Sequence, residues 1–461
     1  MASLRKWCVL GPVVGDLRAG CWLAVLCATA CVSEPADESA SAEARLAVAT
    51  LVVDGGEPDV QSWQRVLRIP EPTSRGSVSS SRVAADPAGN AFVTGYTLAE
   101  IDGSPHSSSD AFVAKYSPAG DLLWTRQLGT TGSDASASVS LDDAGNIYLA
   151  GDTSGALDGP ARGFGDGFVA KYSSAGELEW LRQIGTSEPD AALSVSAGTD
   201  GDVFVAGFTR GSLEGSRSDV DADAWLMKYS SAGELLWTHQ LGSRRGDDEL
   251  AADVSADTAG NVRLAGHSFG PLEGDSRGSA DVFVAKLAAN GELLWLRQRG
   301  GAGYDAAEAV NADGDGNVYV SGQMGGVLAG GPGVVIPGNP YVAKFSPTGE
   351  LLWELELSEA AAGSASRITV DRAGTALIAG YTSGAWGGPN QGLYDSFVAQ
   401  LSREGEVLWA LQLGFEESDR ATGVSPDGAG HFFVSSDLRN ASPDGSDRAF
   451  LTRRVLLRAG E

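Results

Sequence analysis

Seven tryptophans, Trp63, Trp124, Trp180, Trp237, Trp295, Trp353 and Trp409, recur at intervals of 61, 56, 57, 58, 58 and 56 residues. A period of that length means that one supersecondary unit is stacked repeatedly, each copy covering the apolar face of the next. Two further phrases recur between the tryptophans. The first is Asp-x-x-Gly-Asn followed by an alternating apolar run, cleanest at residues 142–151. The second is Asp-x-Phe-Val-Ala-Lys-Tyr-Ser, at 110–117 and 166–173, with variants starting at Asp223, Asp281, Asn339, Asp395 and Asp447.

Each unit holds four strand-like runs, in the second copy 136–141, 146–151, 167–172 and 178–184. Asp-Asp-Ala-Gly-Asn and Ser-Ser-Ala-Gly-Glu separate them, with Gly where a short hairpin needs a positive φ. The 62 glycines of the 461-residue chain likewise point to many tight turns between short strands. No run keeps an apolar period of 3.6 over a helix length, so helix is not expected. The strands are apolar on both sides: Phe168 and Ala170 point one way and Val169 the other. Sheets buried on both faces must lie between neighbours. Four-stranded antiparallel sheets stacked in a closed ring satisfy that requirement, so the expected fold is all-β, a seven-bladed β-propeller. The repeats open on a Trp strand (62–69) and end on an Asp-x-Phe strand (448–453). The N-terminal strand must therefore complete the last blade and cover its open edge.

The phrases Gly-Asn-x-Tyr/Phe-Val-x-Gly, Asp-x-Phe-Val-Ala-Lys-Tyr-Ser and Gly-Glu-Leu-Leu-Trp-x-Arg-Gln resemble the bacterial seven-bladed β-propeller repeat family, SBBP, over roughly residues 61–457. Departures are greatest in the fifth and sixth units, where Asn339-Pro340-Tyr341 replaces Asp-x-Phe and Thr375 replaces the turn Asn. The resemblance implies a propeller at the cell surface or in the envelope, without a defined activity. A weaker likeness, through Gly-x-x-Leu-Trp, is to quinoprotein dehydrogenase repeats, which makes a quinoprotein-like enzyme the alternative.

The first 30 residues read as an export signal: Arg5, Lys6 and Arg18 precede an apolar run, residues 21–30, too short to span a bilayer. Its end reads two ways. Ala28-Thr29-Ala30 fits ordinary signal peptidase, and the same residues before Cys31 resemble a lipobox, with Ala28 where Leu is usual. All four cysteines (Cys8, Cys21, Cys27, Cys31) lie in or beside this leader, so Cys31 has no partner thiol in the rest of the chain. An acyl anchor explains it best, followed by a small, polar, acidic tether over 31–60 and leaving 458–461 as a tail. The expected address is the envelope, as an outer-membrane lipoprotein, with a soluble secreted or periplasmic protein as the alternative, and a monomer in either case. The membrane is touched through the N-terminal lipid alone.

With 60 Asp+Glu against 33 Lys+Arg, the net charge of -27 excludes a nucleic-acid partner. His106, His239, His267 and His431 fall at unrelated repeat positions, and no metal-hydrolase or Ser-His signature occurs. No catalytic residue is assigned, and a binding scaffold rather than an enzyme is expected. The recurrent tryptophans read as packing between blades; Trp386 alone sits off register, in a Gly-rich loop where ligand stacking is open to it. Asn311, Asp313, Asp315 and Asn317 resemble a calcium loop, with Gly322 where the bidentate Glu belongs, at a place where other repeats carry an ordinary hairpin. Calcium is the single cofactor considered, which also opens the reading of a calcium-binding adhesin. Asp134, Asp190, Asp247, Asp305 and Asp419 each lie five residues past the Gly that ends a Trp strand. They share a face with Asp102, Asp158, Glu214 and Glu273 and with the strand-start aspartates. That face is expected to be the more acidic one and to bind calcium or a cationic, protein or glycan partner.

Overall fold

A computed structural model of the chain describes residues 63–66, 78–98, 108–198, 200–213, 221–243, 246–328, 335–357, 362–414, 418–439 and 448–455. The leader, the 31–60 tether, Cys31, Asp102, Glu214 and Asp447 lie outside the described residues. The chain forms seven antiparallel blades in a ring, with no helix among the described residues. Blade 2 is representative: Asp134–Leu141, Ile147–Thr153, Asp166–Tyr172 and Leu178–Ile184 pair in sequence order, innermost strand first. Against the expected strands, the first gains Asp134 and Ala135, the second gains Asp152 and Thr153 and loses Asn146, and the third gains Asp166, because Asp134, Thr153 and Asp166 pair in register.

Trp63–Val66 pairs with Arg448–Val455, in the register Trp63↔Arg453 to Val66↔Phe450. The first strand thus closes the seventh blade, in the order that the offset of the two phrases required. The fifth blade carries an addition: Val318–Leu328 overruns its blade and pairs with a two-residue strand, Val335–Ile336.

The core lies between blades. Phe112, Phe168, Trp225, Phe283, Tyr341 and Phe397, one from each third strand of blades 1 to 6, are all buried. Truncating any of them to Ala would cost about 3–5 kcal/mol. The repeated tryptophans seal the outer part of the same seams. The indole N–H of Trp180 donates to the Ser231 carbonyl of the next blade at 3.0 Å, and that of Trp295 to Pro347 at 2.9 Å. Each ring lies against a hairpin Gly of that blade: a Cβ on Gly233 would come within 2.8 Å of Trp180. Trp386 belongs to this packing too. It meets Phe397 edge-on at 4.9 Å, and its N–H donates to Gln412, as Leu157, Leu213 and Leu272 donate to their own glutamines.

Innermost strands have an open edge toward the axis, and side chains fill it. The hydroxyls of Ser138, Ser140, Ser194 and Ser196 accept the N–H groups of Val195, Ala197, Val254 and Ala256 in the following blade. Every inner strand that bears this edge has a bulge, in blade 2 between Ser136 and Ser138. The bulge brings the Ala135 carbonyl within 2.0 Å of where a Cβ on Gly151 would sit, which is why the apolar run ends in Gly.

Candidate functional site

The ring has two faces. One carries the loops between second and third strands and those between blades; the other carries the two regular hairpins of each blade. On the loop face, most of the repeated carboxylates turn inward. Asp134, Asp190, Asp305 and Asp419 are buried, at 0–3% exposure. One carboxylate oxygen of Asp134 accepts the N–H and hydroxyl of Thr130, at 2.6 and 3.0 Å. Asp190 does the same with Thr186, and Asp305 accepts the N–H groups of Gly301 and Gly325. These side chains hold the blade-to-blade crossing in shape. Burial raises the carboxyl of Asp190 to about 6 and also raises that of Asp305.

Blade 4 differs from the spacing rule. Asp247 is half-buried, and the position equivalent to Asp134 is held by Glu249, two residues later. Glu249 is fully buried, accepts Ser268 Oγ and Ser243 N–H, and is pushed up by burial to about 7.

The aspartates that start the third strands form a second buried set, each clamped by a glutamine seventeen residues on. Gln183 Nε2 donates to Asp166 and to the Gly155 carbonyl, while its Oε1 accepts the N–H groups of Leu157 and Asp158. Gln240–Asp223, Gln298–Asp281 and Gln412–Asp395 repeat the clamp. In blade 5 the two chemistries are exchanged: the Asn339 amide donates to Glu356 at 2.9 Å.

The exposed repeated carboxylates are on the hairpin face, at Asp121, Glu177, Glu234, Glu292, Glu350 and Glu406. Most of the inter-blade and strand-start acids of the loop face are therefore capping groups, and sequence position alone did not separate capping from solvated carboxylates. Among the described residues the exposed acids of the loop face are Asp158 and Glu273, which hold one repeat position, together with Glu188 and Asp275.

At the calcium-like loop each of the four candidate side chains is engaged by protein groups. Asp313 accepts the N–H groups of Asp315 and Asn317 and the Asn317 amide at 2.7 Å, with Lys344 at 3.6 Å. Asn311 accepts the Ala312 N–H, and Asp315 pairs with Arg403. The hydrogen bonds and Lys344 hold the Asp313 carboxyl below its ordinary range in spite of burial. The same bonds shape the turns at Asp142–Asn146 and Asp257–Asn261. Among the described residues no group of three or more His, Cys, Asp or Glu is disposed to hold a metal.

The axis holds a site that repeat reading missed. In the innermost strands the residue before the conserved Val or Ile is Arg82, Ser138, Ser194, Asp253, Ala309, Arg367 and Gly423 in turn. Arg82 reaches from blade 1 to donate to Ser138 and Ser194 at 3.0 and 3.1 Å and to Asp253 of blade 4 at 2.8 Å. Asp253 also accepts Ser194 Oγ and the Val310 N–H. Arg367 enters from blade 6, bonded to the Glu308 and Ser366 carbonyls, and burial and the neighbouring Arg82 lower it to about 10. The signal available was the one column of the repeat that alternates small and charged residues.

The beta-propeller repeat family SBBP matches residues 123–157, the outer strand of blade 1 and the first hairpin of blade 2 with the loop that follows. Regulatory protein FlaEY of Caulobacter vibrioides is 25% identical over 245 residues, 48% of this chain and 24% of that protein. An uncharacterized WD repeat-containing protein, L264, of Acanthamoeba polyphaga mimivirus is 19% identical over 411 residues, 66% of this chain and 29% of its own length. The chain thus spans well under half the length of these relatives. Among solved structures, a polysaccharide lyase of family PL25, an ulvan lyase, aligns with a TM-score of 0.47 at 11% identity, over 83% of this chain and 94% of the lyase. YCF48 bound to a D1 peptide aligns at 0.40 and 12% identity, over 87% and 99%. The seven four-stranded blades make the chain a seven-bladed β-propeller, one stretch of which, residues 123–157, matches the SBBP repeat.

Proposed function

We propose that this propeller is a non-catalytic binding scaffold held at the cell envelope, with its partner docking on the loop face. The carrying observation is where exposed apolar side chains stand. Apart from the starts of the outer strands, the large exposed hydrophobics among the described residues are Leu98, Phe164, Val327, Ile336 and Leu393, all in or beside loops between second and third strands. Phe164 and Leu393 are 67% and 75% exposed. Irregular loops on a rigid ring, tipped with apolar groups among exposed acids, suit a partner with a basic, partly apolar surface. The opposite face is built of uniform hairpins, with the Gly N–H bonded back three residues in each one of blades 1 to 6. The regulatory label of the Caulobacter relative accords with a role without chemistry.

Crosslinking in intact cells tests the reading. Phe164→Ser combined with Leu393→Ser should remove the crosslinked partner while leaving the melting temperature unchanged. Cys31→Ser should move the protein from the membrane to the soluble fraction. A partner retained by the double variant would sink the docking face, and unchanged fractionation would sink the anchor.

A further inference from the structure

A cleft of about 630 Å³ opens between the outer parts of blades 2 and 3, lined by Asp158, Arg162, Arg182, Ser187, Ser212 and Tyr229 among others. Its two arginines come from different elements: Arg162 from the loop before the third strand, Arg182 from the outer strand Leu178–Ile184. Both side chains line the cleft together with Tyr229.

Arg182 is fixed. Its Nε donates to the Gly233 carbonyl at 2.8 Å and its Nη1 to Leu181 at 2.7 Å, which leaves Nη2 without a protein acceptor among the described residues. The Arg162 side chain is exposed and forms no ion pair or hydrogen bond with a described residue. Blade 4 provides the contrast. Arg277 and Arg297 occupy the same two repeat positions, and there Glu273 pairs with Arg297 at 3.1 Å. The blade 2 counterpart of Glu273 is Asp158, one methylene shorter, and it pairs with neither arginine. In a chain with nearly twice as many acids as bases, two guanidinium groups without a carboxylate partner share one cleft.

We propose that this cleft is an oxyanion-binding site, taking a small ligand that carries a phosphate, sulfate or carboxylate group. Arg182 presents a preorganised N–H, and Arg162 closes over the anion from the loop. Guanidinium suits this role because its planar fork donates in parallel to two oxygens. Ser187 adds a hydroxyl to the lining.

Isothermal titration of the purified protein at low salt with inorganic phosphate, inorganic sulfate and succinate tests the site. Saturable binding of at least one is expected, at one anion per chain; the tetrahedral anions and the dicarboxylate separate the ligand sources. Arg162→Gln should weaken that binding at least tenfold without altering melting in anion-free buffer, and Arg277→Gln should leave it unchanged. The proposal is overturned if no anion saturates, if Arg162→Gln binds as the parent does, or if Arg277→Gln loses binding equally.

Discussion

At the scale of single residues, the repeated polar side chains serve the fold before anything else. The Asp–Gln clamp shows it most directly, because blade 5 keeps the geometry with the chemistry exchanged, Asn339 facing Glu356. One partner must donate an amide and the other accept as a carboxylate; which strand supplies which is immaterial. Asn339→Asp should therefore set two carboxylates against each other and, because the pair is exposed, lower stability by about 0.5–1 kcal/mol. Adding Glu356→Gln should restore most of that loss by rebuilding the clamp of the other blades. A chemical-denaturation double-mutant cycle measures the coupling, and additive losses would disprove the exchange. The axial Arg82–Asp253 pair follows a related logic: two buried charges are tolerated because each is also bonded to serines or backbone.

At the scale of strands, the decisive element is short. Trp63–Val66 covers an edge that would otherwise be open on Arg448–Val455. Removing residues 31–58 should leave melting nearly unchanged, whereas removal through Ile69 should cause aggregation or a large loss of stability. Scanning calorimetry with light scattering separates the two, and like behaviour of both truncations would contradict the closure. This element was legible in the sequence, as were the blades, since Trp and Asp-x-Phe phrases mark outer and third strands at a constant period. The direction of the carboxylates was not legible. Asp134 and Glu177 are both acids beside a turn, and only the strand register shows that the first is enclosed and the second solvated. Asp247 was misplaced for a plainer reason: blade 4 has two extra residues in its crossing, so a fixed count from Gly242 stops short of Glu249. Arg82 and Arg367 each follow an inner-strand bulge, which offsets the register, so spacing along the chain does not mark them as facing one axis.

At the scale of the whole molecule, enclosed carboxyl groups tie stability to pH. Burial raises Glu249 to about 7 and both Asp152 and Asp190 to about 6. A carboxyl whose folded value lies above its unfolded value binds protons preferentially in the fold, so its contribution is full below the unfolded value and lost as pH rises through the folded one. His267 works in the other direction. Burial lowers it to about 4, so the unfolded chain takes up its proton first as pH falls below about 6.5. Each tenfold difference in acidity is worth about 1.4 kcal/mol, and at pH 5.5 the three acids outweigh the histidine by about 2 kcal/mol. The protein should thus melt higher at pH 5.5 than at pH 8. Glu249→Gln should remove most of that difference; a melting temperature that is flat or rises toward pH 8 in the parent protein would refute the account.

The closure of the seventh blade also decides which way the disc looks. Trp63 pairs with Arg453 as Trp124 pairs with Lys115, so the first strand runs from the hairpin face toward the loop face. Trp63 lies at the hairpin-face end, and Val455, the last described residue of the partner strand, lies at the same end. Both ends of the ring-forming chain therefore leave from one side. A protein held by its amino end would rest with its uniform hairpins toward the support and turn Phe164, Leu393 and the blade 5 extension outward, toward whatever approaches from the other side.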